Sequence, residues 1–157
     1  MSTHIRESIL AELETTLNTI RTTGGYNYNV TAERWKRSGN PMAEAAEGAP
    51  KVVIYAGPED KEPGPDPQTS SKWSIILDCW MVLTEDSTEL PDTALNKLLL
   101  DIEKAIMIDY TRGGYAEFTQ EVSVVPFTYT EGRAYFGVLI TLDIQYKHRN
   151  TDPSTYD

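Results

Sequence analysis

The sequence predicts an α+β domain: a mainly antiparallel sheet of four to five strands, with two amphipathic helices packed on one face. Three observations predict it. Residues 72–84, KWSIILDCWMVLT, place Trp73, Ile75, Leu77, Cys79, Met81 and Leu83 at every second position. Residues 134–146 repeat the pattern with even parity, in Phe136, Val138, Ile140, Leu142, Ile144 and Tyr146. Side chains of a strand alternate between faces, so each run buries one face. The third observation is two helical stripes that can cover those faces, separated by a run of strands.

The first stripe is Ile5, Ile9, Leu13, Leu17 and Ile20, at spacings of four and three. A helix over about 4–22 follows, capped by Ser2 or Thr3 and ended by Gly24-Gly25. Residues 26–37, YNYNVTAERWKR, are β-branched and aromatic and read as a strand. Residues 42–50 read as a loop, and 51–55, KVVIY, as a short apolar strand. Residues 57–71 carry four prolines and two glycines. Proline has no N–H for a ladder, so this stretch reads as a loop or an interaction arm. Pro91 opens a second helix over about 92–109, with Leu95, Leu98, Leu99, Ile102 and Ile106 inward and Asp101, Glu103 and Lys104 mainly outward. Residues 118–127 make a strand with Phe118, Val122 and Val124 on one face, and 128–133 a turn. One domain over 1–146 and a polar tail over 147–157 are expected.

Composition narrows function. At 39% hydrophobic and 24% charged residues the chain can build an ordinary core. A net charge of −10 argues against a dedicated nucleic-acid binder, which needs a basic stripe. Cys79 is the single cysteine, which excludes an intrachain disulfide and a cysteine metal cluster. No signal peptide and no membrane-length apolar run is seen, so folding in the cytosol is expected.

Candidate chemistry is sparse. His4 and His148, the two histidines, lie near the two ends with no nucleophile at motif spacing. Cys79 lies on the inward face of its strand and reads as a buried small hydrophobe. The glycine pairs 24–25 and 113–114 follow helices, the wrong end for a phosphate loop. The acidic clusters match no Ca²⁺-loop pattern. No catalytic residue, cofactor or metal is expected. An acid–base carboxylate pair would need Asp78 and Asp143, the two mid-strand acids, in one cleft.

The far face of strand 72–84 is more suggestive. Ile76, Trp80 and Val82 stand opposite the core face, and either a loop, the second helix or another subunit must cover them. Subunit contacts are expected at these three residues, at Trp35 in strand 26–37, and at Pro63 and Pro65 in the proline-rich stretch.

In sequence, IRESILAELETTLNTI leads into an aromatic strand, and LTEDSTELPD follows the central strand. ALNKLLLDIEKAI, TRGGYAEFTQEV and finally ITLDIQYKHR come after. Over nearly the whole chain this order resembles the tail terminator (tail-completion) proteins of long-tailed bacteriophages, the minor tail protein U-like group. The resemblance implies a virion structural subunit that closes a homohexameric ring. Such a ring caps the tail tube, stops its polymerisation and offers the head-joining surface. It implies as partners the chain itself, a tail tube protein and a head-completion or neck protein, with DNA only in transit through the lumen and no membrane. Its place would be the head-proximal end of the tail, after assembly in the host cytoplasm. The loops 39–50 and 56–71 are long for the group. Another neck or connector component, a tube subunit, or a small α+β binding module are the alternatives.

Overall fold

A computed structural model describes residues 3–131 and 133–155, with the side chains of 129–134 left out of account. Its elements are α1 (Ile5–Asn18), β1 (Thr31–Arg34), α2 (Pro41–Glu44), β2 (Lys51–Pro63), β3 (Gln68–Leu83), α3 (Pro91–Ile108), β4 (Phe118–Glu131) and β5 (Arg133–Arg149). The five strands form one sheet in the order β1-β2-β3-β5-β4. Only β1 and β2 run parallel; the other three pairings are antiparallel. The α+β class and the mainly antiparallel sheet are those the sequence predicts.

The inner face of the sheet is where the apolar periodicity leads. Trp73, Ile75, Leu77 and Cys79 of β3, and Val138, Ile140, Leu142, Ile144 and Tyr146 of β5, are fully buried. Ile5, Ile9, Leu13 and Leu17 of α1 and Ala94, Leu98, Ile102 and Ile106 of α3 join them in a single apolar cluster. Burying a side chain of this size stabilises the fold by about 1.5–3 kcal/mol. The cluster therefore decides which face the helices take.

Several elements differ from expectation, each for a local reason. Ser2 lies outside the described residues; the N-cap of α1 is His4, whose ring nitrogen accepts from Arg6 N–H at 3.2 Å. The helix stops at Asn18, because the Asn18 amide both donates to Ala32 C=O and accepts from Ala32 N–H, each at 2.9 Å. Of the strand expected over 26–37, only Thr31–Arg34 is ladder. Asn27 and Tyr28 give their backbone N–H groups instead to Asp101 of α3, at 2.9 and 3.0 Å. Asp101 is thus 2% exposed and faces inward, not outward as its position in the polar pattern suggested. A carboxylate buried this way is held by the donors it accepts from.

The largest difference is at 57–71. Most of this proline-rich stretch is sheet: β2 continues to Pro63 and β3 begins at Gln68. β1 pairs β2 only over Lys51–Ile54, so further along nothing needs the N–H groups of β2's free edge. Pro58 falls in a bulge between Ala56 and Glu59, and Pro63 closes the strand. Edge and bulge are the two places where a sheet tolerates proline. The tip turns over 64–67, with Gly64 N–H on Gln68 C=O at 3.0 Å.

The other end of the sheet behaves alike. The turn expected over 128–133 is narrower: β4 runs to Glu131 and β5 starts at Arg133, around Gly132, which lies outside the described residues. A register shift between Glu121 and Ser123 puts a bulge at Val122. Before it Phe118 pairs with Gln145; after it Val124 pairs with Ile140. Phe118 and Val124 therefore lie on opposite faces, not on one. β5 itself runs three residues beyond the domain boundary read from sequence, to Arg149.

This extension brings the two histidines together. Their rings lie 5.5 Å apart, edge to face, near the tip end of the β2–β3 hairpin, where His148 pairs with Thr69. Lys61 Nζ is 3.5 Å from His148 Nε2, Arg6 Nε is 3.4 Å from a Glu59 oxygen, and the Tyr146 hydroxyl donates to Glu59. Burial first, then the neighbouring Lys61, His148 and Arg6, hold the His4 pKa below its usual value, against the pull of Glu59. A depressed folded-state pKa contributes stability above about pH 6.5 that is lost as pH falls through the folded value. We predict that chemical denaturation at pH 7.5 and 5.5 shows acid destabilisation, and that His4→Asn, which keeps a capping acceptor, reduces that difference. An unchanged difference would remove His4 from the explanation.

Candidate subunit interface

The outer face of the sheet is built by the other parity. The register lines up Thr31, Lys51, Trp80, Gly137 and Phe127 across all five strands. The next row is Glu33, Val53, Asp78, Leu139 and Val125, and beyond it Tyr55, Ile76, Thr141 and Ser123. Trp35, just past β1, adds its ring 6.3 Å from that of Tyr55. The apolar stripes of α1 and α3 are spent on the opposite side, and the short α2 meets this face at one end, where Glu44 pairs with Lys51.

One glycine organises the aromatic row. Gly137 stands between Trp80 and Phe127, and the two rings meet over it edge to face at 4.8 Å. A Cβ at 137 would come within 2.6 Å of Phe127 Cζ and closer still to the Cys79 carbonyl oxygen. Without that side chain, the rings share one depression and give each other an aromatic contact worth about 0.5–1.5 kcal/mol beyond area.

The residues expected at an interface divide into three groups. Ile76, Trp80 and Trp35 lie on this outer face, the first two half-buried and Trp35 57% exposed. Val82 shares their parity but is 5% exposed, because the 43–47 segment and the turn after β3 close around it. It belongs to the interior of the subunit, and its cover is the end of α2 with the residues after it, part of the stretch 42–50 expected to be a loop throughout. Pro63 and Pro65 are exposed at the hairpin tip, and Pro63 pairs with Thr69, eleven residues along β3 from Trp80. At about 3.3 Å per residue that separates them by roughly 36 Å, so they form no common patch with Trp80. Sequence reading did not find Tyr55, Val125, Phe127 or Leu139. Val125 and Phe127 stand on β4 positions whose face only the register and the Val122 bulge define, whereas Leu139 follows from the parity of β5.

Charge on the face is uneven. Asp143 is held by Lys72 at 3.1 Å and Ser74 Oγ at 3.1 Å. Lys51, 6% exposed, is held by Glu33 at 3.3 Å and Glu44 at 3.0 Å. Asp78 is half-buried between Val53 and Leu139 and forms no ion pair among the described residues. Burial raises its pKa above the usual carboxylate value, while the Trp80 indole acts against that shift. The same environment, with the Asp78 charge added, raises the Tyr55 phenol. Asp78 and Asp143 share the face but stand four residues apart in register on neighbouring strands, since Asp78 pairs with Leu139. Four residues along β5 then lie between their rows, on the order of 13 Å, too far for two carboxylates to work on one bond.

Elsewhere, burial pushes the Cys79 thiol well above its ordinary pKa, the reverse of what a nucleophile needs. Among the described residues no three His, Cys, Asp or Glu side chains stand together as metal ligands. No described helix is long and apolar enough to cross a membrane. Compared with known proteins, the chain matches no family model and no curated protein.

Two substitutions test this geometry. Gly137→Ala should destabilise the chain by about 3 kcal/mol in urea unfolding, as an overpacked site does. Asp78→Asn should do the opposite at neutral pH. A carboxyl with a raised folded-state pKa contributes its stability below the unfolded value, near 3.9, and loses it as pH rises through the folded one. Asparagine therefore gains up to about 1 kcal/mol at pH 7, allowing for partial exposure, and little at pH 3. Equal effects at both pH values would refute the assignment.

Proposed function

We propose that this chain is a structural assembly subunit of a bacteriophage tail, one copy of a ring that caps the tail tube. The ring stops tube growth and offers the surface that joins the filled head. The observation that carries the reading is the outer sheet face: aromatic and aliphatic across β2, β3, β5 and β4, and covered by neither α1 nor α3, with only the short α2 against one end of it. Large aromatic groups beside exposed Val125 and Leu139 are the composition of an interface core. The order of segments that resembles the tail terminators supports the same reading, and so does the acidic surface, which does not hold passing DNA by counterion release. The chain then works by surface complementarity and assigns no side chain a catalytic task.

The sheet edges favour face contacts over strand-to-strand polymerisation. The outer edge of β1 is occupied by Asn18 at Ala32, and Arg21 donates to Val30 C=O beside it. The free edge of β2 carries Pro58 and Pro63, and that of β4 carries Pro126 and the Val122 bulge. These devices blunt an edge against pairing with another chain. A subunit that docks by its face into a closed ring stops at that ring.

Electron microscopy of the protein mixed with tail tubes tests the proposal. The expected image is one ring at one end of each tube, with tube length no longer growing. Long stacks of the protein alone would identify a tube subunit instead. A protein that stays monomeric at high concentration and leaves tubes uncapped would overturn the reading.

A further inference from the structure

We infer that neighbouring copies of this chain are joined by one ion pair, Arg37 of one copy on Asp78 of the next. The inference rests on the ring reading above and names the contact within it. Two unmatched charges point to it. On the acceptor side, Asp78 is set in an apolar surround, with Val53 and Leu139 across the strands and Ile76 and Trp80 along its own. The nearest cation in register, Lys51 opposite Trp80, is already shared between Glu33 and Glu44. A carboxylate half-removed from water without a counter-charge costs free energy that an incoming cation restores.

On the donor side, the cations of the described side chains are accounted for one by one. Arg6, Arg34, Lys36, Lys61, Lys72, Lys97, Arg112 and Lys147 pair with carboxylates. Arg21 bonds backbone carbonyls, Lys104 lies over the Tyr26 ring, and Arg149 has a partner of its own. Arg37 is exposed and makes no such contact, with its own Asp78 or any other described group. It lies two residues beyond Trp35, the most exposed aromatic of the face. A Trp with an Arg close by is a composition enriched among the residues that dominate binding energy. Guanidinium suits the receiving site, since it stacks on an indole while forking onto a carboxylate.

Geometry gives this contact a direction. The donor lies at the β1 margin of the face and the acceptor near its middle, on β3. Contacts between two different patches link copies head to tail, and such links make a ring where the rotation between copies closes and a filament where it does not. The free subunit is left with a carboxylate that weakens it and that the assembled form needs.

Charge exchange tests the pair. Asp78→Arg, Arg37→Asp and the double variant are compared with the native chain by sedimentation at high concentration and by counting capped tubes in electron micrographs. Circular dichroism establishes that each folds. The expected result is at least about a tenfold loss of association in each single variant, with recovery in the double. Added salt should weaken the native association. If the native chain assembles but the single variants assemble equally well, or the double stays as weak as they are, the pair is wrong and the ring reading survives. If the native chain assembles neither alone nor on tubes, both fall.

Discussion

The pairing of β3 with β5 carries the molecule. It runs from Gln68 against Arg149 to Leu83 against Ala134 with no irregularity in register. Because side chains alternate, this register puts the odd residues of β3 and the even residues of β5 on one face. A slip by one residue would turn Trp73, Ile75 and Leu77 to the side away from α1 and α3. Two helical stripes then have one place to go, and the core forms where they meet the sheet. The other strands add to this pair: β2 on one flank, with β1 beyond it, and β4 on the other.

One sealed face implies one open face. The chain has apolar helix surface enough to cover the inner side and spends it there. On the outer side it places Trp35, Tyr55, Ile76, Trp80, Leu139 and Phe127 in a continuous field, with Gly137 letting two rings share the space of one residue. Asp78 in the middle is a poor choice for a subunit meant to stand alone. Sites that serve a partner commonly weaken the free chain in this way. The outer side of α3 also exposes apolar groups, in Leu100, Met107 and Ile108. These lie on one element, whereas the sheet field spans four strands and holds an unmatched charge.

How far the fold could be read from sequence depended on how strongly each segment constrains itself. The two long alternations and both helical stripes carry their own periodicity, so β3, β5, α1 and α3 were legible with their buried faces. The hairpin at 57–71 was not, because proline reads as a breaker unless the strand is known to have a free edge there. Strand 26–37 shrank because Asp101, some seventy residues on, takes its N–H groups, a long-range competition without local signal. Phe118 and Val124 parted faces at a one-residue bulge. The same limits governed the site. Ile76, Trp80 and Leu139 could be placed by parity alone, whereas Tyr55 and Phe127 joined them only through register. Val82 followed the parity rule but lies under a segment whose packing the sequence does not announce.

The central claim is that copies meet through the outer sheet face, and side-chain footprinting tests it most directly. Carbene labelling of the free and assembled protein should show Trp35, Leu139 and Val125 losing reactivity on assembly, while Leu100 and Ile108 of α3 keep theirs. Protection of the α3 residues with the sheet residues unchanged would contradict the account.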